Sequence, residues 1–215
     1  MGRIILMRHG RTYSNASRIL DTRPPGAELT LVGKQQARLA GPQLAEVTDD
    51  LGGALCSVAI RAQQTALRVI NTYEQAKGLA RGSVSIEVTP GLQEIFVGDY
   101  EGRSEPGAHR AYREALHGWM HDGLGVSMPG GENPRQVLDR YRPVMEGLAA
   151  RIAEDDRDYL LVGHGAAIRI AGRYSSNVPA DVAFDTYLAN CAMVVLHPTG
   201  EFGSWECESW AGVRL

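Results

Sequence analysis

Residues 3–10 read Arg3-Ile4-Ile5-Leu6-Met7-Arg8-His9-Gly10. The apolar, β-branched run over 3–7 predicts a strand, and the charged pair ahead of Gly10 predicts the turn that leaves it. The same grammar recurs along the chain. Gly52 and Gly53 break a helical pattern, residues 54–58 predict a second strand, and Arg61 follows. Residues 84–88 predict a third, followed by a glycine- and acid-rich loop over 90–107 that holds Glu94. Residues 159–162 predict a fourth, followed by Gly163-His164-Gly165.

Helical spacing fills the intervals. Val32, Gln36, Ala37, Ala40 and Leu44 recur with that period over 30–47, and Ala62, Ala66, Val69, Ile70 and Tyr73 line one face over 61–77. Residues 108–121 predict a helix with Tyr112, Ala115, Leu116 and Trp119 inward. Asn133 reads as an N-cap with Pro134 at the first helical position, opening a helix to about 153. A further helix is expected over 166–174, and residues 192–197 and 204–210 close the chain as a pair of strands.

Strands alternating with helices imply an α/β fold whose sheet is mostly parallel and covered on both faces. In such sheets ligands bind beyond the carboxyl ends of the strands. Arg8 with His9, Arg61, Glu94, and His164 each follow a different strand, so four separate segments meet at one edge. Alone, each is weak: Arg61 reads as a surface helix charge, Glu94 as a solvated loop acid, His164 as a turn histidine. Their joint placement carries the functional reading.

The chemistry of the set is specific. Two guanidinium forks suit a phosphoryl oxygen pair, and Arg61 stands at a helix start, where free N–H groups favour an anion. Two arginines beside two histidines repel one another unless an anion lies between them. A neutral imidazole can act as a covalent nucleophile, and a protonated one can stabilise the transferring group. Glu94 is the candidate proton donor to a leaving alkoxide. Gly10 and Gly165 allow close backbone approach to a ligand. His109, His117 and His121 read as surface residues of an inserted helix, and His197 as structural.

Composition sets the limits. The 215 residues suit one α/β domain over 1–215, with an insertion near 95–128, and 44% hydrophobic content is ordinary for a globular chain. A net charge of −3 without a basic run gives little support to nucleic-acid or membrane-surface binding. Cys56, Cys191 and Cys207 are odd in number and lack CxxC spacing, which argues against a disulfide framework or a zinc site and fits a reducing cytoplasm. The first seven residues are too short and too soon charged to read as a signal peptide, and no apolar run reaches membrane-spanning length. No phosphate loop with a Lys and no GxGxxG opening a helix is present, which argues against NTP-binding and dinucleotide-binding folds.

Taken in order, Arg8-His9-Gly10 with Thr12 and Asn15, Leu29-Thr30 with Gly33, Gln36 and Ala37, Arg61-Ala62 with Gln64-Thr65-Ala66, Leu92 with Glu94, Gly98 and Glu101-Gly102, Pro129-Gly130-Gly131-Glu132 and Gly163-His164-Gly165 resemble the histidine phosphatase superfamily. More narrowly they resemble its phosphoglycerate mutase-like branch, over residues 3–172. The resemblance implies a three-layer α/β/α sandwich with a mostly parallel central sheet and a short helical insertion. It implies His9 as the phosphorylated nucleophile, Arg8, Arg61, His164 and Gly165 as the phosphate pocket, Asn15 as a further phosphate contact and Glu94 as general acid. No metal or organic cofactor is expected, and the expected partner is a small phosphorylated substrate. A homo-oligomer stays open.

Two departures bear on the reaction. True cofactor-dependent mutases carry a Tyr three residues after the acid, where this chain has Val97, and a Lys and a paired Arg-Arg in a longer insertion, where it has only the separated Arg103, Arg110 and Arg113. A mutase must hold a diphosphorylated intermediate away from water, whereas a phosphatase admits water. The expectation is hydrolysis of a small phosphorylated metabolite, with phosphoglycerate mutase as the alternative and a catalytically weak binding protein as a third reading. Arg11 replaces the usual acidic or amide residue after Gly10 and adds positive charge at the pocket mouth.

Overall fold

The computed structural model describes residues 1–121 and 123–215. Four strands, β1 (Ile4–Arg8), β2 (Leu51–Ser57), β3 (Ile86–Thr89) and β4 (Asp158–Gly163), run parallel in the order β3-β2-β4-β1. On the far side of β1, β5 (Met193–His197), β6 (Glu206–Trp210) and β7 (Val213–Arg214) continue the sheet antiparallel. The sheet is therefore parallel where the motif residues leave it and antiparallel along one flank.

The strand alternation sorts side chains to two faces. Ile5 and Met7 of β1, with Leu160 and Val162 of β4, pack under α2 (Leu31–Val47) and α3 (Ile60–Ala76). Ile4 and Leu6, with Tyr159 and Leu161, pack on the other face against α4 (Pro106–Met120), α5 (Pro134–Asp155) and α6 (Gly165–Ser175). Helices on both faces of one sheet make the expected three-layer sandwich. Thr30 caps α2 by accepting from the Gly33 N–H, and Asn133 with Gln136 forms a reciprocal capping box on α5 ahead of Pro134.

Several expectations shift. Gly52 and Gly53 lie inside β2, which starts at Leu51; a side chain on Gly52 would collide with the Tyr159 ring, so the glycines admit that ring instead of ending an element. The third strand lies over Ile86–Thr89, and the 90–107 loop contains a 3-10 turn over Gly98–Tyr100. The last long strand begins at Glu206. Three short elements have no hydrophobic period to announce them: α1 (Tyr13–Ala16), α7 (Ala180–Asp185) and β7. The three cysteines are buried thiols, and burial pushes Cys56 up to about 11 and Cys191 and Cys207 up to about 12. No helix of the described residues is long and apolar enough to cross a membrane.

Candidate active site

The register of two central strands brings the histidines together. Arg8 pairs with Gly163 across β1 and β4, and the His9 N–H continues the ladder to the Gly163 carbonyl at 3.0 Å. The next side chains out, His9 and His164, meet with ring centroids 5.2 Å apart. Arg61, on the second residue of α3, donates from Nε to His164 Nδ1 at 3.2 Å. Arg8, His9, Asn15, Arg61, Glu94 and Gly165 all line one cavity of about 740 Å³ at the carboxyl edge of the parallel strands.

Hydrogen bonds fix the protonation of both imidazoles. His9 Nδ1 lies 2.8 Å from the Gly10 carbonyl, which can only accept, so Nδ1 carries the proton and Nε2 keeps its lone pair. The arginine Nε–H can only donate, so His164 Nδ1 accepts, and the Nε2–H faces Ser57 Oγ at 2.9 Å. Burial lowers both histidines well below the ordinary range; Arg61 and Arg8 lower His9 further, and Arg61 and His9 lower His164 further. The structure thus departs from the expectation of a protonated His164. A second ring proton would face the Arg61 Nε–H, so in this state His164 is neutral and orients Arg61.

Ring NMR signals are accordingly expected to show His9 and His164 unprotonated through pH 6.5, while His121, raised by its hydrogen bond to Asp181, protonates at higher pH. Both buried rings bind a proton in the unfolded chain before they bind one in the folded chain. Their contribution to stability is therefore present above about pH 6.5 and falls as the pH drops below it. A His9 signal titrating with a midpoint near 6.5 would remove the neutral-nucleophile assignment.

Four other site residues depart from expectation in their surroundings. Glu94 Oε1 accepts from the N–H groups of Ile95 at 2.9 Å and Ala167 at 2.8 Å, and Oε2 accepts from Ala166 at 3.1 Å. The amino end of α6 therefore holds Glu94, not a ligand anion. At the start of α3 the Ile60 N–H is similarly taken, by the Pro25 carbonyl at 3.0 Å. Gly10 and Gly165 serve protein packing: a Cβ on Gly10 would lie 2.7 Å from the Gly33 carbonyl oxygen, and one on Gly165 would lie 3.3 Å from Arg8 Nε. Asn15 Oδ1 accepts from the Thr12 N–H at 3.2 Å within the α1 capping box.

The structure adds residues that strand-end reading missed. Asn190 Nδ2 donates to the His9 carbonyl at 2.9 Å and approaches Asn15 Oδ1 at 3.5 Å. It arrives on the loop into β5, whose antiparallel direction brings its leading loop to the same edge. Asp21 lies 3.8 Å from Arg61 Nη1. Thr65 accepts from the Gly10 N–H at 3.0 Å and donates to the Arg61 carbonyl at 2.7 Å, locking the nucleophile turn to α3. His109 also differs from its surface reading: it lines the cavity, with Nε2 2.6 Å from the Arg18 carbonyl. His117 and His121 stack on each other at 4.1 Å outside this cavity, and His197 pairs with Glu208.

Arg8 Nε and Arg61 Nη1 are buried and find no acceptor among the described residues. The Asp21 carboxylate, 3.8 Å from Arg61 Nη1, offsets charge without accepting a hydrogen bond, and a buried cationic donor left without an acceptor costs more than a neutral one, so the pair calls for an anion. Comparison with known proteins agrees. The family model of the histidine phosphatase superfamily, branch 1, matches residues 4–211.

The chain belongs to the histidine phosphatase superfamily. It is 32% identical over 164 residues to an acid phosphatase of Mycobacterium tuberculosis, spanning 76% of this chain and 70% of that protein. It is 28% identical over 171 residues to a 2,3-bisphosphoglycerate-dependent phosphoglycerate mutase of Sinorhizobium fredii, spanning 78% and 76%. A match to PE-PGRS family protein PE_PGRS11 of M. tuberculosis, 38% identical over 98 residues, covers 46% of this chain and only 15% of that protein. Among solved structures, a mycobacterial glucosyl-3-phosphoglycerate phosphatase complexed with VO3 superposes with a TM-score of 0.77 at 24% identity, over 98% of this chain and 99% of that one. At that identity the likeness speaks for the shared fold.

Proposed function

We propose that this histidine phosphatase is a phosphomonoester hydrolase that works through a phosphohistidine at His9. One observation carries the reading: a neutral imidazole with Nδ1 tied to the Gly10 carbonyl stands beside two guanidinium groups, each of which keeps one buried nitrogen, Arg8 Nε and Arg61 Nη1, without a hydrogen-bond acceptor among the described residues. His9 Nε2 attacks phosphorus, the phosphoryl group moves to the ring, and Glu94 gives its proton to the departing alkoxide. Water then gives a proton back to the Glu94 carboxylate as its oxygen attacks the phosphohistidine, and the N–P bond breaks to release inorganic phosphate, the neutral His9 ring and protonated Glu94. Arg8 and Arg61 carry the charge of the transferring oxygens, Asn15 adds a side-chain amide, and His164 holds Arg61 in place from its Nδ1.

The insertion favours hydrolysis over mutase chemistry. Val97, at the position of the mutase Tyr, is fully buried in the core. Arg103 lies over the Tyr100 ring and pairs with Glu105, so it is drawn to its own neighbours. The deciding experiment measures phosphate release from p-nitrophenyl phosphate and from 3-phosphoglycerate, with and without a diphosphoglycerate primer. Release from both without a primer is expected. Primer-dependent isomerisation of phosphoglycerate that exceeds hydrolysis would replace this reading with the mutase.

Turnover is expected to be unchanged by EDTA, because the chemistry is assigned to imidazole, guanidinium and carboxyl groups alone. Activity lost to the chelator and restored by zinc or magnesium would refute it.

A further inference from the structure

The cavity carries more positive charge than one phosphoryl group uses. Arg8, Arg11, Arg18 and Arg61 line it against two acidic side chains, Asp21 and Glu94. Both acids are already engaged: Glu94 by three backbone N–H groups, Asp21 by the Ser14 hydroxyl and the Ala27 N–H, each at 2.8 Å, beside Arg61. Arg8 and Arg61 belong with the transferred group. The guanidinium groups of Arg11 and Arg18 stand at the mouth with no hydrogen-bond or carboxylate partner among the described residues.

The backbones that carry these two arginines are fixed. The Arg11 N–H donates to Gln36 Oε1 at 2.9 Å, and its carbonyl accepts from the Thr30 N–H at 2.9 Å. Arg18 adopts the left-handed conformation with φ 55°, and its carbonyl meets His109 Nε2. Two residues on, Leu20 is pinned on both sides, donating to the Arg103 carbonyl at 2.8 Å and accepting from the Gly102 N–H at 2.7 Å. A cavity of about 740 Å³ falls in the range of about 300–1,000 Å³ that holds a whole small ligand. A phosphoryl group at its floor leaves the rest of the substrate to face the mouth.

We infer that Arg11 and Arg18 form a subsite for a second anionic group of the substrate, a carboxylate or a second phosphate, remote from the phosphoryl group that is transferred. This rests on the hydrolase reading above and narrows its substrates to phosphorylated acids or bisphosphates. Guanidinium forks bind either anion through charge-assisted pairs.

Two matched pairs test it: 3-phosphoglycerate against glycerol 3-phosphate for the carboxylate, and fructose 1,6-bisphosphate against fructose 6-phosphate for the phosphate. The wild-type protein is expected to favour the charged member of at least one pair by about 10-fold or more in kcat/KM, mainly through KM, and salt should compress the preference. Arg11→Ala and Arg18→Ala should each lower that charged-to-neutral ratio by about 5-fold or more. Ratios within about two-fold of unity for both pairs, or ratios that neither substitution moves, overturn the subsite. Hydrolysis of p-nitrophenyl phosphate reports the hydrolase reading separately. Should no compound be turned over, that reading fails, and calorimetric binding of the same four compounds to the His9→Ala protein decides the subsite: discrimination by charge supports it and equal binding overturns it.

Discussion

His9→Ala is expected to remove turnover, by on the order of 10⁴-fold or more, while the chain still folds. Losing a nucleophile that works as part of a unit takes nearly all of the rate with it. The structural cost is small: the ring makes one hydrogen bond, to the Gly10 carbonyl, and its removal costs about 1–3 kcal/mol. Relief of an uncharged ring packed between Arg8 and Arg61 costs no ion pair. Two measurements check the prediction. Phosphate release from p-nitrophenyl phosphate should fall to background with an unchanged circular dichroism spectrum, and acid-labile, alkali-stable label from a ³²P substrate should appear on the wild-type protein only. Near-wild-type release by the variant would end the covalent mechanism.

Glu94→Gln is expected to slow an alkyl phosphate by about 10²-fold or more and p-nitrophenyl phosphate much less. An alkoxide needs a proton as the P–O bond breaks, whereas a nitrophenolate leaves with little help. The structure adds a second consequence. Three N–H groups point at the two Glu94 oxygens, so the amide NH2 of Gln must face one of them donor to donor. The variant therefore loses position as well as the proton, and both substrates suffer that part equally. The ratio between the substrates isolates acid catalysis, provided a burst measurement confirms that phosphorylation of His9 limits the rate. Equal slowing of both would count against Glu94. Glu101, another acid of the same loop, is a poor replacement: it accepts from the Thr22 hydroxyl and from the N–H groups of Thr22 and Arg23 and closes that loop.

The ordered motifs and the alternation of elements determined the fold class and the set that meets at the sheet edge. Residues such as Arg8, Arg61 and His164 were legible because a parallel strand delivers whatever follows it to one edge, a rule that needs no coordinates. The same rule hid Asn190, since an antiparallel strand delivers the residues before it, and direction is a property of pairing that no local pattern records. Pairing partners were equally out of reach. That Arg61 meets His164, that Ser57 holds the far side of that ring, and that the two acids Asp21 and Glu94 are already engaged depend on contacts across more than 70 residues, or on a loop folding back onto a helix end. Those contacts also set the protonation of both histidines, because desolvation and neighbouring arginines exist only once the chain is packed. Sequence therefore determined which groups could do chemistry here; tertiary structure decided their charge, their orientation, and which of the arginines at the cavity still lack an anion.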